Sequence, residues 1–202
     1  PFIGTKVACT RRDLTINAML WNIETQELED PFHGSVDLKN RLLKATHNQY
    51  FAEDPLRVFR VAQFAGRLQC TVDPDLQTLC QTLTETTEFK TLPKERVLNE
   101  LEKGWFKSVQ PTVAIKWMVE LQALQRYLPT FENLSPKQWH CTYDRIAYAS
   151  SYRTKLSKGH SMGLFWAMIT FELSDSARAT IFDHFNIERF HGFPIRKAFE
   201  KL

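Results

Sequence analysis

Arginines are the groups whose spacing in this sequence first suggests chemistry. In the stretch EDPLRVFRVAQFAGRL, Glu53–Leu68, residues Arg57, Arg60 and Arg67 recur at intervals that bring them towards one face of a helix. Such a row gives the helix an electrostatic role. Asp54 is a suitable cap and Pro55 suits the first helical position, where a missing N–H costs nothing. Phe59, Ala62, Phe64 and Leu68 supply a packing face. Standing alone, the stretch reads first as an amphipathic helix with solvated arginines. A second charged cluster, Arg11-Arg12-Asp13, lies upstream, and by itself it reads as surface charge.

The clusters do not stand alone. RRDLTINA (Arg11–Ala18) is followed by DPFHG (Asp30–Gly34), by Asp37-Leu38 and Arg41-Leu42-Leu43, and then by the Glu53-Asp54…Arg57 string. In that order and spacing these strings resemble the bacterial class II tRNA nucleotidyltransferases, the CCA-adding enzymes, and their relatives the bacterial poly(A) polymerases. The match is dense across about Thr10–Arg67, thins through about Leu128 and is faint beyond.

The resemblance implies roles for particular residues. Cytosine and adenine each present an amino donor beside a ring-nitrogen acceptor, whereas uracil and guanine present the reverse. A carboxylate beside an arginine therefore accepts C and A, and each mispaired polar group costs about 1–3 kcal/mol. The aspartate and arginine of the family's E-D-x-x-R motif play this part and map onto Asp54 and Arg57, with Glu53 as supporting carboxylate. Arg12 and Arg60 are implied to meet the phosphates, and Asp13 to accept a ribose hydroxyl. Asn17, four residues on, shares that face if the segment is helical. A family arginine after Arg60 is replaced by Gln63, which removes one cation from the row. Asp54 has a second reading as a plain helix cap, and both uses are compatible.

These side chains need a frame. The run Asp13–Asn22 suits a helix or a strand by its pattern, and the resemblance implies a helix entering a strand. Glu24–Glu29 reads as a turn, Leu28–Pro31 as a short edge strand and Val36–Leu43 as a short helix. Beyond Ala45 the pattern is helical: Pro55–Leu68, Pro74–Thr84, Lys94–Lys107 behind Pro93, and a helix opened by Pro111. Inward stripes are Leu76, Leu79, Cys80 and Leu83, then Val97, Leu98, Leu101 and Trp105, then Val113, Ala114, Trp117, Met118 and Leu121. Further helices are expected around Asp144–Tyr152, Met162–Leu173, Ser176–Phe185 and Ile195–Leu202. The expected fold is mainly α. Residues 1–45 form the end of an α/β nucleotidyltransferase head, 46–129 a helical neck for nucleotide recognition and 130–202 a helical body.

Composition constrains function less than the motifs do. With 202 residues, 43% hydrophobic, the chain is long enough for one ample core or two small ones. A net charge of +3 is too mild to demand a nucleic-acid partner, so local clusters must carry that reading. Lys94, Arg96, Lys103 and Lys107 offer a surface for an RNA backbone, or a solvated helix face. Trp105, Trp139 and Trp166 read as core rather than base-stacking platforms. The apolar run Met162–Phe171 is too short to cross a bilayer, and a cytoplasmic protein without membrane contact is the simplest reading.

Four cysteines without a C-x-x-C pair argue against a zinc ribbon or a disulfide framework. Asp73 and Asp75 flank Pro74 at a helix start, a capping pattern rather than a metal pair. Asp183-His184 is in the wrong order for the phosphohydrolase doublet of some relatives. The chain is therefore read as a fragment that lacks the family's paired metal-binding carboxylates, with no catalytic or metal-ligating residue of its own and inactive alone. The intact enzyme is expected to add CCA to tRNA 3′ ends from CTP and ATP with Mg2+. The alternatives are a bacterial poly(A) polymerase and a non-catalytic RNA-binding protein.

Overall fold

The computed structural model describes residues 4–189 and 192–199. Its first part is built of short elements: α1 (Thr5–Thr10), a 3-10 turn at Thr15–Asn17, β1 (Leu20–Asn22), β2 (Glu27–Glu29), α2 (Gly34–Lys39) and β3 (Leu42–Leu43). Strands β1 and β2 pair antiparallel with Leu20 opposite Glu29 and Trp21 opposite Leu28. The expected helix over Val36–Leu43 is shorter than the pattern suggests. It stops at Lys39 because Leu42–Leu43 turns to pair in parallel with β4 (Thr71–Val72). Asp30 fixes the start of α2, accepting from the N–H groups of Gly34 and Ser35 and from the Ser35 hydroxyl. Gly34 is required there, since a Cβ would lie 2.1 Å from the Thr15 carbonyl oxygen.

The rest is helical: α3 (Asn48–Ala52), α4 (Arg57–Leu68), α5 (Pro74–Thr84), α6 (Thr87–Lys90), α7 (Lys94–Phe106), α8 (Pro111–Glu120), α9 (Ala123–Tyr127), a 3-10 turn at Pro129–Phe131, α10 (Pro136–Ser150), α11 (Lys158–Thr170), α12 (Asp175–Phe185) and α13 (Ile195–Phe199). The fold is mainly α, as the sequence predicts. Proline and aspartate starts behave as expected at α5, where Asp73 accepts from the Asp75 N–H and Pro74 follows the cap. Helix α10 begins well before the expected Asp144. Ser135 and Gln138 form a capping box around Pro136, which starts the helix eight residues ahead of the expected position. The last expected helix is described to Phe199, and its remaining residues lie outside the described ones.

Helix α4 is the spine of the bundle, packed on α7 and α8. Val58, Phe59, Val61, Ala62, Ala65 and Gly66 form its buried face. At Gly66 an added Cβ would sit 2.6 Å from the Ala114 Cβ and 2.7 Å from the Ser108 Oγ, so glycine sets how closely α4 and α8 approach. Phe59 stacks on Phe89, and the Tyr127 ring meets both edge-on. The Tyr127 hydroxyl donates to the Leu92 carbonyl at 2.9 Å. Trp105 is fully buried and donates through Nε1 to the Ser161 Oγ at 3.0 Å, joining α7 to α11. Trp139 and Trp166 are buried too, as expected of core aromatics. One apolar cluster runs from Leu14 through these helices to Ile195.

Candidate functional site

The loop before α4 is arranged differently from the expected helix start at Pro55. The α-helix begins at Arg57, and residues 54–56 form a tighter turn in which the Arg57 N–H donates to the Asp54 carbonyl. Asp54 does cap this turn: its Oδ1 accepts from the Leu56 N–H at 3.2 Å. Its Oδ2 is held by Arg96 of α7 at 2.8 Å. Arg57 reaches backwards, donating to the Tyr50 carbonyl at 2.5 Å and to the Arg11 carbonyl at 2.9 Å. That second bond ties the Arg11-Arg12-Asp13 segment to α4.

Asp13 is the most enclosed carboxylate of the segment, 6% exposed. Its Oδ1 accepts from the Leu14 N–H at 2.9 Å and from the Asn17 side-chain amide at 3.0 Å. Arg60 grips its Oδ2 through Nε at 2.8 Å and a terminal nitrogen at 2.7 Å.

Together these groups wall a cavity of about 450 Å³ between the 11–13 segment, α4 and α7. Of the expected site residues, Arg12, Asp13, Asp54, Arg57 and Arg60 line it. Asn17 stands behind Asp13 as its hydrogen-bond donor, and neither Asn17 nor Glu53 is among the lining residues. Arg67 is exposed on the last turn of α4 and takes no part, because the helix carries it away from the cavity. Gln63, which replaces a cation of the arginine row, does not line the cavity either. It is 2% exposed on the inner face of α4, and its amide nitrogen has no partner among the described residues.

Helix α7 supplies a wall that the sequence reading did not assign to this cavity, having read Arg96 and Lys103 as an RNA-facing or solvated surface. Arg96, Asn99, Glu100 and Lys103 line the cavity, and Lys103 pairs with Glu100 at 2.7 Å. Their signal was the spacing of Arg96, Asn99 or Glu100, and Lys103, which places them on one helical face. Six cationic side chains thus face three carboxylates. Each carboxylate already has its own cation: Asp13 has Arg60, Asp54 has Arg96 and Glu100 has Lys103. Arg11, Arg12 and Arg57 have no carboxylate partner among the described residues. The cavity has the electrostatics of an anion site with polar walls.

A divalent metal does not fit these residues. Among the described residues no three His, Cys, Asp or Glu gather into a group able to hold one, and the cavity carboxylates are turned to arginine and lysine. Nor is any described helix long and apolar enough to cross a membrane.

Known proteins resemble this chain in sequence and in fold. Residues 6–44 match the family model for the poly A polymerase head domain. The multifunctional CCA protein of Aliivibrio salmonicida (strain LFI1238) is 43% identical over 141 residues, covering 66% of this chain and 34% of the relative. That of Vibrio parahaemolyticus is 38% identical over 154 residues, covering 71% and 36%. The chain therefore spans about a third of the length of the curated relatives it matches. Among solved structures, a tRNA-processing enzyme with CTP superposes with a TM-score of 0.77 at 21% identity, over 98% of this chain and 54% of that one. A tRNA nucleotidyltransferase complexed with a primer tRNA and an incoming ATP analog gives 0.76 at 22%, over 98% and 58%. The Thermotoga maritima CCA-adding enzyme complexed with tRNA gives 0.70 at 22%, over 91% and 45%.

Those structural likenesses establish the fold, and the curated relatives carry the sequence kinship. Over residues 6–44 the chain is similar to the poly A polymerase head domain, and over a longer stretch it is similar to multifunctional CCA proteins, in line with the resemblance that the motif order carried.

Proposed function

We propose that this chain is the nucleotide-recognition part of a tRNA nucleotidyltransferase, which adds CCA to tRNA 3′ ends from CTP and ATP in the cytoplasm. The observation that carries the reading is the convergence of Arg12, Asp54, Arg57 and Arg60 on one cationic cavity. In this assignment residues 1–45 complete a catalytic head, 46–129 form the recognising neck and 130–202 the body. Mg2+ belongs to the intact enzyme's reaction, held outside the residues of this chain.

Within the cavity, Arg12 and Arg60 take the phosphates as charge-assisted hydrogen-bond donors. Asp54 and Arg57 read the base edge. Each is pre-oriented by the protein, Asp54 by the Leu56 N–H and Arg96, Arg57 by two backbone carbonyls. Fixed partners lower the ordering cost of binding and leave a lone pair on Asp54 and N–H groups on Arg57 for the base. Glu53, beside Asp54 in the chain and exposed, is the supporting carboxylate in this assignment. Asp13, held by Asn17 and Arg60, takes a ribose hydroxyl by yielding one of the Arg60 bonds.

The test is a titration of the chain with each nucleoside triphosphate, following amide shifts of residues 53–60. CTP and ATP are expected to shift those signals more than UTP and GTP, with all four weakened alike by salt. Identical responses to the four would remove the base-reading role. Incorporation by the intact enzyme separates the rivals: CTP then ATP for CCA addition, ATP alone for a poly(A) polymerase, nothing for a binding protein.

A further inference from the structure

Two buried polar side chains on neighbouring helices each carry an unsatisfied atom. Gln63 on α4 is 2% exposed and Glu100 on α7 is 3% exposed. Among the described residues, the Gln63 Nε2 has no acceptor and the Glu100 Oε2 has no donor. Enclosed amide and carboxylate groups left in that state are costly. The two also stand at the same height. Arg96 of α7 holds Asp54, just ahead of α4. One turn beyond Gln63 and Glu100, a Cβ added at Gly66 or at Gly104 would meet the same Ala114 Cβ, at 2.6 and 3.7 Å. The helices therefore run the same way, and both side chains are turned inward at one level between those two contacts. Lys103 holds Glu100 along α7 instead. It takes the Glu100 Oε1 at 2.7 Å from three residues further on, and its own side chain is 28% exposed in the wall of the cavity.

We propose that Gln63 is a positioning residue, which receives Glu100 when an anion in the cavity draws Lys103 away. The inference rests on the reading of that cavity as an anion site. Without an anion, Lys103 neutralises Glu100 and the Gln63 amide stays unpaired. A multiply charged anion competes for the Lys103 ammonium, which swings on a flexible stem. A buried carboxylate released by its cation needs another donor. The Gln63 N–H, level with it and already out of water, supplies one. The new bond runs across from α4 to α7 and draws that wall of the cavity onto the ligand. Because only the bound state holds this bond, its energy goes to binding and not to the stability of the unliganded chain.

The experiment pairs calorimetric titration with inorganic triphosphate and urea unfolding of the unliganded chain, for the parent, Gln63→Met, Lys103→Met and the double variant. Methionine keeps the reach of the glutamine side chain and removes its amide. Gln63→Met should leave the unliganded chain as stable as the parent or more so, since it removes a buried donor that lacks a partner. It should nevertheless weaken triphosphate binding about tenfold, by taking away a hydrogen bond to a charged group. In the Lys103→Met background Glu100 turns to Gln63 from the outset, so there Gln63→Met should lower stability and leave triphosphate affinity alone. Hydrogen exchange at residues 99–104 should slow when triphosphate is added to the parent, but not to Gln63→Met. Unchanged affinity in Gln63→Met, an equal loss of affinity in both backgrounds, or a drop in unliganded stability to match would overturn the proposal. Should Gln63→Met fail to fold, Glu100→Gln serves: with no carboxylate to hand over, the exchange response at 99–104 should vanish, and a full response would overturn the proposal. A parent that does not bind triphosphate would sink the anion site and this inference together. Triphosphate binding that ignores Gln63 would sink the inference alone.

Discussion

Two tryptophans show how differently the two parts of this molecule are held. Trp105 on α7 is fully buried, tilted against Phe165 and hydrogen-bonded to Ser161. Trp21 on β1 is 58% exposed, opposite Leu28 at 50%. The contrast extends to the regions around them. The helices from α4 to α12 are joined by a continuous apolar core. The segment before α3 leaves Val7, Ile23, Val36 and Leu38 in solvent and sends only a few side chains, Leu14, Ile16 and Leu43 among them, into that core. Its other attachments are polar. Arg60 grips Asp13, Arg57 holds the Arg11 carbonyl, and the Thr46 hydroxyl lies within hydrogen-bonding reach of the Thr10 and Arg12 carbonyls. The candidate site therefore sits on a seam, and two of its arginines, Arg57 and Arg60, are the staples that tie the first segment to α4.

Substitutions should break the two regions in different ways. Trp105→Ala removes a buried ring and orphans the Ser161 hydroxyl, a loss of about 3–5 kcal/mol. Urea unfolding followed by circular dichroism should show the helical transition collapse towards low denaturant. A shift under 1 kcal/mol would mean the core repacks around the void.

Arg60→Ala acts on the seam alone. It leaves the Asp13 Oδ2 enclosed and unpaired while Oδ1 keeps Leu14 and Asn17, at a cost of about 1–3 kcal/mol. Hydrogen exchange at residues 14–18 should accelerate while α8 stays protected. Equal protection in both variants would show that apolar anchors suffice to hold the segment.

A smaller effect separates the regions by pH. His184, edge-on to Tyr127 and Phe185, has its pKa pushed below the ordinary value by burial and by the Lys94 ammonium. The folded bundle thus favours neutral imidazole. Its contribution is complete above the unfolded pKa of about 6.5 and is lost as pH falls through the lowered folded value. His184→Asn should flatten the acid side of the stability profile of the bundle without changing exchange in the β1–β2 hairpin. An unchanged acid slope would assign the loss to other groups.

Legibility in the sequence follows the same division. Long helices announced themselves through apolar period and through Pro or Asp starts, so α4, α5, α7 and α8 were readable to within a few residues. Two-residue strands are not readable that way. Leu42–Leu43 looks like the end of a helix, because its pairing with Thr71–Val72 is a tertiary event. At the site, the groups on the 11–13 segment and α4 were legible from motif order. The contribution of α7 was not, since nothing local to Arg96 or Lys103 says that α7 packs beside α4. That Gln63 takes a cation out of the row was readable; that its side chain lies buried on the inner face was not, because the packing of α4 decides it.

The smallest expected effect is the one that tests the comparison from its other side. Trp21→Ala removes the same side chain as Trp105→Ala, but from a face where its neighbour Leu28 is also half in water. A single cross-strand contact is worth about 0.2–1 kcal/mol, so global stability should move by no more than that. Because each hairpin strand is three residues long and unsupported on that face, the loss should be confined to local exchange at residues 20–29. The measurement must be repeated over a range of protein concentration, because an exposed Trp–Leu pair is itself a place where two chains can meet. A small loss that is independent of concentration would confirm that polar ties, not this face, hold the segment. A loss approaching that of Trp105→Ala, growing with concentration, would mean that the face is buried by self-association, and the two tryptophans would then differ in their partner rather than in their burial.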